Sequence, residues 1–245
     1  MHRFYLPKES FNQPTIQLND RAEIHHLKNV LRLKKGAAVT IFNGEGKEAE
    51  GRIISISSEA VSIDILTVKT IPFSETILSL ACAIPKKAKF ETIIEKCTEL
   101  GVNEIIPLIT KRTEIHLDAA RRQKKASRYQ AVAINAARQS KRLSVPAIHP
   151  ITDFPTAIKM LRKDSLAIIP HLDGERKELP SVINANPKCK RINFFIGPEG
   201  DFTLAEVNLA KKAGCIPASL GNTVLKVDTA AIYVIAAGRL LINKH

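Results

Sequence analysis

Apolar and polar residues alternate along this chain with two different periods, and the change of period divides it in two. Up to about residue 70 the pattern alternates residue by residue, as in half-buried strands joined by short turns such as Asn43-Gly44. The predicted strands are residues 1–5, 38–42, 47–56 and 60–69. A helix from Asp20 to Leu33 interrupts them, with Ile24, Leu27 and Val30 on its apolar face. A compact barrel of five or six strands is therefore expected over residues 1–72.

Beyond a linker at residues 71–73, apolar runs of strand length alternate with segments of helical period. The predicted strands are residues 76–83, 102–109, 165–170, 191–196 and 215–220. The predicted helices are residues 90–100, 121–142, 153–161, 203–214 and 230–241. Strands that alternate with helices form parallel sheets. Residues 73–245 are therefore expected to form one α/β domain.

Two of these strands end in polar, glycine-containing loops. Gly197-Pro198-Glu199-Gly200 follows residues 191–196, and a loop from Gly221 to Asp228 follows residues 215–220. In an α/β sheet, ligands bind at the carboxyl ends of the strands, so both loops are expected to line one pocket. The loop from His171 to Glu175 is a third candidate. Thr203 and Glu206 have capping-box spacing, and Asp228 or Thr229 is predicted to cap the last helix.

Charge narrows the class of partner. The net charge is +13 and the pI is about 9.7, which favours a polyanion, with nucleic acid ahead of an acidic membrane surface. No apolar run reaches the length of a membrane span, and the N-terminus does not resemble a signal peptide. A cytoplasmic protein is therefore expected. The four cysteines lack metal-ligand spacing and are interpreted as small buried hydrophobic residues: Cys82, Cys97, Cys189 and Cys215.

The basic excess is concentrated between Lys86 and Arg142. The helix predicted at 121–142 carries one basic cluster before an apolar middle and a second behind it. The first cluster fits a solvated surface and an RNA contact equally well: Arg121, Arg122, Lys124, Lys125 and Arg128. The second, Arg138 to Arg142, abuts a strongly apolar segment and is interpreted as functional.

The sequence contains no Ser/His/Asp set, paired-carboxylate site, metal cluster or G-x-G-x-x-G loop. An uncharged pocket at strand ends, with backbone donors, suits a cofactor that carries adenosine.

The loop motifs resemble a known family. Ile196-Gly197-Pro198-Glu199-Gly200 with Phe202 and Thr203, Leu220-Gly221, and Leu225-Lys226-x-Asp228-Thr229-Ala230 are similar to motifs of the RsmE family. These are bacterial 16S rRNA (uracil-N3) methyltransferases of the SPOUT superfamily, whose fold contains a trefoil knot. Lys226 and Asp228 stand where the family usually has Arg and Glu, and Asp201 stands where a glycine is common. Residues 25–36 with the Gly44-x-Gly46 turn resemble the family's PUA-like RNA-binding domain, and residues 136–142 resemble a motif near its active site.

The resemblance implies a SPOUT α/β domain after a PUA-like β-barrel, S-adenosylmethionine as the cofactor, and no metal. It also implies a homodimer that acts on 16S rRNA in the small ribosomal subunit. The catalytic candidates are Arg142, Lys226 and Asp228, with Glu199 as a second proton acceptor. The expected cofactor-binding residues are Ile169, Pro170, His171, Ile196, Gly197, Pro198, Glu199, Gly200, Leu220, Gly221 and Leu225. The expected RNA-binding residues are Arg3, His26, Arg32, Lys86, Lys87, Arg121, Arg122, Arg138 and Gln139.

Several alternatives stay open at this point. His25 and His26 fit a helix surface better than catalysis, and Asp228 fits a helix cap as well as a catalytic group. A non-catalytic RNA-binding or ribosome-assembly protein with the same fold would also carry these motifs. A SPOUT methyltransferase for another RNA position, such as a ribose 2′-hydroxyl, is the third alternative.

Overall fold

The computed structural model describes residues 2–7, 11–71, 76–86, 90–115, 117–172 and 174–242. The chain forms two compact units. The first comprises Met1–Phe73 together with Ala137–Val145, and the second comprises Ser74–Ala136 together with Pro146–His245. The segment 137–145, which the sequence assigned to the α/β domain, therefore packs with the N-terminal unit. No helix in the described part of the chain is both long and apolar enough to cross a membrane.

The first unit is built on one five-stranded sheet. Its strands are β1 (His2–Tyr5), β2 (Thr15–Leu18), β3 (Ala38–Phe42), β4 (Lys47–Ile56) and β5 (Val61–Thr70). Their order is β1-β3-β4-β5-β2; β1 pairs with β3 in parallel and the other pairs are antiparallel. Phe4, Leu18, Ile41 and Ile63 are fully buried in its core. The predicted β-rich unit is confirmed, although its second strand was missed.

The helix of this unit differs from the prediction. α1 (Arg21–His25) begins after Asp20, whose carboxylate accepts a hydrogen bond from an amide of the first turn at 2.9 Å. The chain then winds as a π-helical turn, His26–Val30, and Arg32 takes a left-handed conformation at φ 52°. Because a π-helical turn contains more residues than an α-helical turn, the predicted apolar face is lost at Val30, which is 59% exposed. The single helix predicted to Leu33 is therefore wrong.

The second unit is built on an eight-stranded sheet. The strands are β6 (Ile77–Ala83), β7 (Glu104–Ile109), β8 (Ala147–Ile148), β9 (Thr152–Asp153), β10 (Leu166–Pro170), β11 (Lys177–Glu178), β12 (Arg191–Ile196) and β13 (Ile216–Ser219). Their order is β11-β13-β10-β12-β6-β7-β8, and β9 also pairs with β7. All the pairings among these strands are parallel, as predicted. The predicted trefoil knot stays a prediction.

Helices pack against this sheet. They are α2 (Phe90–Glu99), α3 (Ala119–Gln139), α4 (Phe154–Lys159), α5 (Leu179–Asn184), α6 (Leu204–Lys212) and α7 (Val227–Ile242). α3 ends three residues before its predicted end, and Lys141 beyond it is left-handed at φ 58°. The apolar middle of α3 was expected to be buried throughout, but Ala131 is exposed while Ala133 and Ala137 are fully buried. The helix is therefore buried on one side only.

The cysteine prediction is confirmed at three positions. Cys82, Cys97 and Cys215 are buried, and burial raises the pKa of the last two thiols to about 12. Cys189 is half-buried, and its Sγ lies 3.3 Å from the amide of Leu166, which donates to it. The prediction of a buried cysteine is therefore wrong at Cys189.

Candidate functional site: a cavity at three strand ends

Three neighbouring strands of the second unit end at the same edge of the sheet. β10 lies between β12 and β13, and all three are parallel. The loops that follow them therefore leave the sheet side by side. Together they line a cavity of about 230 Å³. The prediction that the turns after Ile196 and after Leu220 share one cavity is confirmed.

The loop after β12 is shaped by local hydrogen bonds. Asp201 N donates to Pro198 O at 2.9 Å, which closes a turn, and Asp201 itself is left-handed at φ 60°. α6 then begins with a capping box: the side chain of Thr203 accepts from Glu206 N, and the carboxylate of Glu206 accepts from Thr203 N at 2.9 Å. Arg112 also donates to the carbonyl of Gly200. The loop is therefore held from both ends.

The loop after β13 turns at Gly221. The amide of Gly221 donates to Ser219 Oγ at 3.2 Å. The φ of Gly221 is 114°, a backbone conformation that glycine adopts freely and other residues adopt only with strain. The loop ends where α7 begins, at Val227. Asp228 therefore lies inside the first helical turn, and the prediction that Asp228 or Thr229 caps this helix is wrong.

Most of the predicted cofactor-binding residues line the cavity. They are Pro170, His171, Ile196, Gly197, Pro198, Glu199, Leu220, Gly221 and Leu225. Lys226, a catalytic candidate, lines it as well and is exposed. Ile169 and Gly200 do not line it: Ile169 is fully buried inside the sheet, and Gly200 is exposed, with its carbonyl held by Arg112.

The cavity is also lined by residues that were not named as cofactor-binding candidates: Leu172, Arg176, Asp201, Ala218, Thr223, Val224, Val227 and Ala230. Thr223, Val224 and Val227 belong to the loop that was expected to line it. Leu172 belongs to the loop that the sequence had already marked as a third candidate. Arg176 lies one residue beyond that loop, and its Nη1 donates to His171 O at 3.1 Å. Only the tertiary fold brings this cation to the cavity.

The carboxylates at the cavity are already engaged by the protein. Glu199 Oε1 accepts a hydrogen bond from Lys86 N at 3.0 Å, which ties the loop after β12 to the loop after β6. Asp201 Oδ2 lies 2.7 Å from Nδ1 of His171, which is buried. In β6, burial raises the pKa of the Cys82 thiol, and Cys97 and the carboxylates of Glu199 and Asp228 raise it further. Cys82 is therefore a neutral thiol and not a nucleophile.

Comparison with known proteins agrees with this geometry. The family model of the RNA methyltransferase domain matches residues 74–239, and that of the RNA methyltransferase PUA domain matches residues 18–66. The ribosomal RNA small subunit methyltransferase E of Rickettsia conorii is 31% identical, over 98% of this chain and 96% of its own length. The chain belongs to the ribosomal RNA small subunit methyltransferase E family.

Two further members of the family are similar over nearly their whole length. The Bacillus subtilis methyltransferase E is 28% identical, over 97% of this chain and 95% of its own. The Neisseria gonorrhoeae methyltransferase E, whose crystal structure is bound to S-adenosyl methionine, has a TM-score of 0.87 and 29% identity over 98% of both chains. The RsmE resemblance read from the loop motifs is therefore confirmed.

The other two catalytic candidates do not line the cavity of this methyltransferase. Arg142 belongs to the N-terminal unit, and its Nε donates to Ser144 Oγ at 2.9 Å. Asp228 is half-buried in the first turn of α7, where a carboxylate is favoured by the helix dipole. Of Arg142, Lys226 and Asp228, Lys226 lines the cavity together with the predicted cofactor residues, as does Glu199, and the catalytic roles stay predictions.

Arg3 was predicted to bind RNA, but its guanidinium is used inside the N-terminal unit. Its Nε lies 2.8 Å from Glu48 Oε2, and Nη2 donates to Arg142 O at 3.0 Å. Nη1 donates to Ala137 O at 3.1 Å. The side chain is only 9% exposed. The guanidinium therefore holds the end of α3 and the segment after it, and RNA binding by Arg3 stays a prediction.

The remaining RNA candidates of the N-terminal unit fall into two groups. Arg138 is paired with Glu23, a carboxylate whose pKa is raised by burial although Arg138 opposes the rise. His26 is half-buried with its ring 6.4 Å from that of Phe4, and burial lowers its pKa. Arg32 and Gln139 are exposed. Of these four, Arg32 and Gln139 are the side chains that face solvent.

The RNA candidates of the second unit are more exposed. Lys86 is 52% exposed and pairs with Glu114, whereas Lys87 lies outside the described residues. Arg121 is 72% exposed beside Asp118. Arg122 is half-buried, and its Nε donates to the carbonyl of Leu117 at 3.1 Å. A binding role for these side chains stays a prediction.

Proposed function

We propose that this protein transfers a methyl group from S-adenosylmethionine to N3 of a uridine in the decoding region of 16S rRNA. The observation that carries the proposal is the cavity of about 230 Å³ at the ends of β10, β12 and β13. It lies within the part of the chain that matches the RNA methyltransferase domain. The Neisseria gonorrhoeae relative of the same fold is bound to S-adenosyl methionine. An rRNA substrate also implies that the protein acts in the cytoplasm.

The residues of the cavity fit this cofactor. Ile196, Leu220 and Leu225 supply apolar surface for an adenine ring, and Gly197 and Gly221 let the backbone approach a ligand closely. When bound, S-adenosylmethionine supplies an electrophilic methyl group on a sulfonium, which is a good leaving group without a metal.

The chain's own residues must deal with the proton on N3. A uracil N3 carries a hydrogen that has to leave as the new bond forms, so negative charge develops on the ring. The exposed ammonium of Lys226 lies at the cavity and is suited to stabilise that charge. Glu199 is the carboxylate at the cavity that the sequence offered as a proton acceptor, and its hydrogen bond from Lys86 N orients it.

We also propose a homodimer, on the evidence of α7. Tyr233 is 41% exposed and Leu240 is 63% exposed, seven residues apart on the same side of this helix. Large apolar side chains in a row on one helical face are typical of a surface that a second subunit covers. Light scattering of wild type and of Leu240→Glu tests this, and a wild-type monomer would refute it.

Two measurements test the reaction. Calorimetric titration with S-adenosylmethionine is expected to show saturable binding. Mass spectrometry of 16S rRNA from a strain that lacks the protein is expected to show the loss of one N3-methyluridine. Failure to bind the cofactor, with RNA binding intact, would favour the non-catalytic RNA-binding protein. A retained N3-methyluridine with loss of another methyl group would favour a methyltransferase for a different RNA position.

A further inference from the structure

Asp201 joins two of the three loops that form the cavity. Its Oδ2 accepts a hydrogen bond from Leu172 N at 3.0 Å and lies 2.7 Å from Nδ1 of His171, both in the loop after β10. Its Oδ1 accepts from Phe202 N at 2.7 Å, in its own loop after β12. One carboxylate therefore spans the two loops, and its side chain is only 16% exposed.

The backbone of Asp201 is strained where the carboxylate makes these contacts. Its φ of 60° is in the left-handed region, which glycine adopts freely and which other residues adopt at a cost. Asp and Asn tolerate it better than most because their side chains bond to nearby backbone groups. A residue kept in such a conformation near a ligand cavity points to a functional demand at that position.

His171, the partner of Asp201, is itself held from three sides. Its amide donates to Ala218 O at 3.3 Å, in β13, and its carbonyl accepts from Arg176 Nη1 at 3.1 Å. The side chain is buried, and the residue lines the cavity together with Leu172 and Asp201. A shift of His171 would therefore move the cavity wall that the loops after β10, β12 and β13 share.

We propose that Asp201 is a positioning residue: its carboxylate fixes His171 and the loop after β10 against the cavity and thereby sets the affinity for S-adenosylmethionine. This rests on the proposed function, since it names a determinant of cofactor binding in the same cavity. Asp201 takes no part in methyl transfer. The competing interpretation is that Asp201 only stabilises the fold. A carboxylate that precedes α6 interacts favourably with the dipole of that helix.

Two substitutions separate these readings. Asp201→Gly removes the carboxylate but suits the left-handed backbone, so the turn itself is preserved. Asp201→Asn removes the charge beside His171 and keeps one acceptor oxygen, which can accept from the amide of Leu172 or from that of Phe202 but not from both. Asp164→Gly is the matched control, because Asp164 is a 69% exposed carboxylate paired with Arg162 on the surface.

The measurements are the Kd for S-adenosylmethionine by calorimetry, kcat and KM on small ribosomal subunits, and the melting temperature. Asp201→Gly is expected to raise the Kd and the cofactor KM roughly tenfold, which corresponds to about 1.4 kcal/mol. Its kcat is expected to stay within about twofold of wild type. Asp201→Asn is expected to recover part of the affinity, because it keeps one of the two acceptor oxygens, and Asp164→Gly is expected to keep all of it. Hydrogen exchange without cofactor is expected to be faster in Asp201→Gly in peptides that contain His171.

The outcomes distinguish this proposal from the function on which it rests. Wild-type protein that fails to bind S-adenosylmethionine overturns both. Wild-type binding with an unchanged Kd in Asp201→Gly overturns the positioning role alone. A loss of melting temperature that Asp201→Asn does not recover, with an unchanged cofactor Kd, assigns the carboxylate to helix stability and also overturns the proposal.

Discussion

Replacing Arg3 with methionine is expected to loosen the segment that follows α3. In the N-terminal unit the guanidinium of Arg3 pairs with Glu48 at 2.8 Å and donates to the carbonyls of Ala137 and Arg142 at 3.1 and 3.0 Å. It also lies 4.1 Å from the centre of the Phe42 ring. The two hydrogen bonds to carbonyls join the first strand to residues more than 130 positions away. Methionine has a similar length but can make none of the polar contacts.

The cost of Arg3→Met follows from these contacts. Each of the hydrogen bonds to the carbonyls of Ala137 and Arg142 is worth about 1 kcal/mol net. The stacking of the guanidinium on Phe42 is worth roughly another 0.5 to 1 kcal/mol. The Glu48 side chain is 23% exposed, so losing its partner costs about 1 kcal/mol, much less than for a fully buried charge. Arg3→Met is therefore expected to lower the free energy of local opening of residues 137–145 by about 3 to 4 kcal/mol. The equilibrium constant for this opening then rises more than about a hundredfold.

Hydrogen exchange is the suitable assay, because a protein of two compact units need not unfold in one step. In Arg3→Met, peptides from residues 137–145 are expected to exchange more than a hundredfold faster. Arg52→Met is the matched control: Arg52 is exposed and makes one 3.2 Å bond, to Gly36 O. Wild-type exchange of residues 137–145 in Arg3→Met, or an equal effect of Arg52→Met, would refute this account of Arg3.

Three further predictions concern the second unit. Arg191 holds the pKa of Glu104 at about 2 through two 2.8 Å hydrogen bonds, so this stabilisation is complete above about pH 5 and is lost as the pH falls from there toward 2. Glu104→Gln is therefore expected to destabilise the unit at pH 7, by about 1 to 2 kcal/mol after allowance for partial solvent exposure, and by much less at pH 3 in urea unfolding. Lys226→Ala is expected to lower kcat far more than it raises the Kd for S-adenosylmethionine. Replacing the basic cluster Arg121, Arg122, Lys124 and Lys125 with alanine is expected to weaken RNA binding and to make it less dependent on salt concentration.

Each of these predictions has an outcome that contradicts it. An equal loss of stability at pH 3 and pH 7 in Glu104→Gln would show that the pKa of Glu104 is not lowered by folding. A large rise in Kd with unchanged kcat in Lys226→Ala would assign Lys226 to cofactor binding. If RNA affinity depends on salt concentration as steeply in the quadruple variant as in wild type, the four basic residues form an ordinary solvated surface and do not contact RNA. Lys211→Ala with Lys212→Ala, on exposed positions of α6, is the control for charge removal.

Features set by neighbours along the chain were predicted well. The capping box of Thr203 and Glu206 was read from a spacing of three residues and is present. The parallel sheet followed from alternating strands and helices. Short elements were not predicted: α5 has six residues, and the two-residue strands β8, β9 and β11 are too short to show a period.

The sequence by itself determined the α/β architecture, the family and the two loops that line the cavity, because these depend on local patterns and contiguous motifs. Only the tertiary structure decided which side chains are available at a site. The guanidinium of Arg3 binds carbonyls far along the chain inside the N-terminal unit, whereas Arg176, after β10, and Asp201, after β12, both line the cavity. A hydrogen bond between residues distant in sequence produces no local sequence pattern, so its partners can be identified only from the tertiary structure.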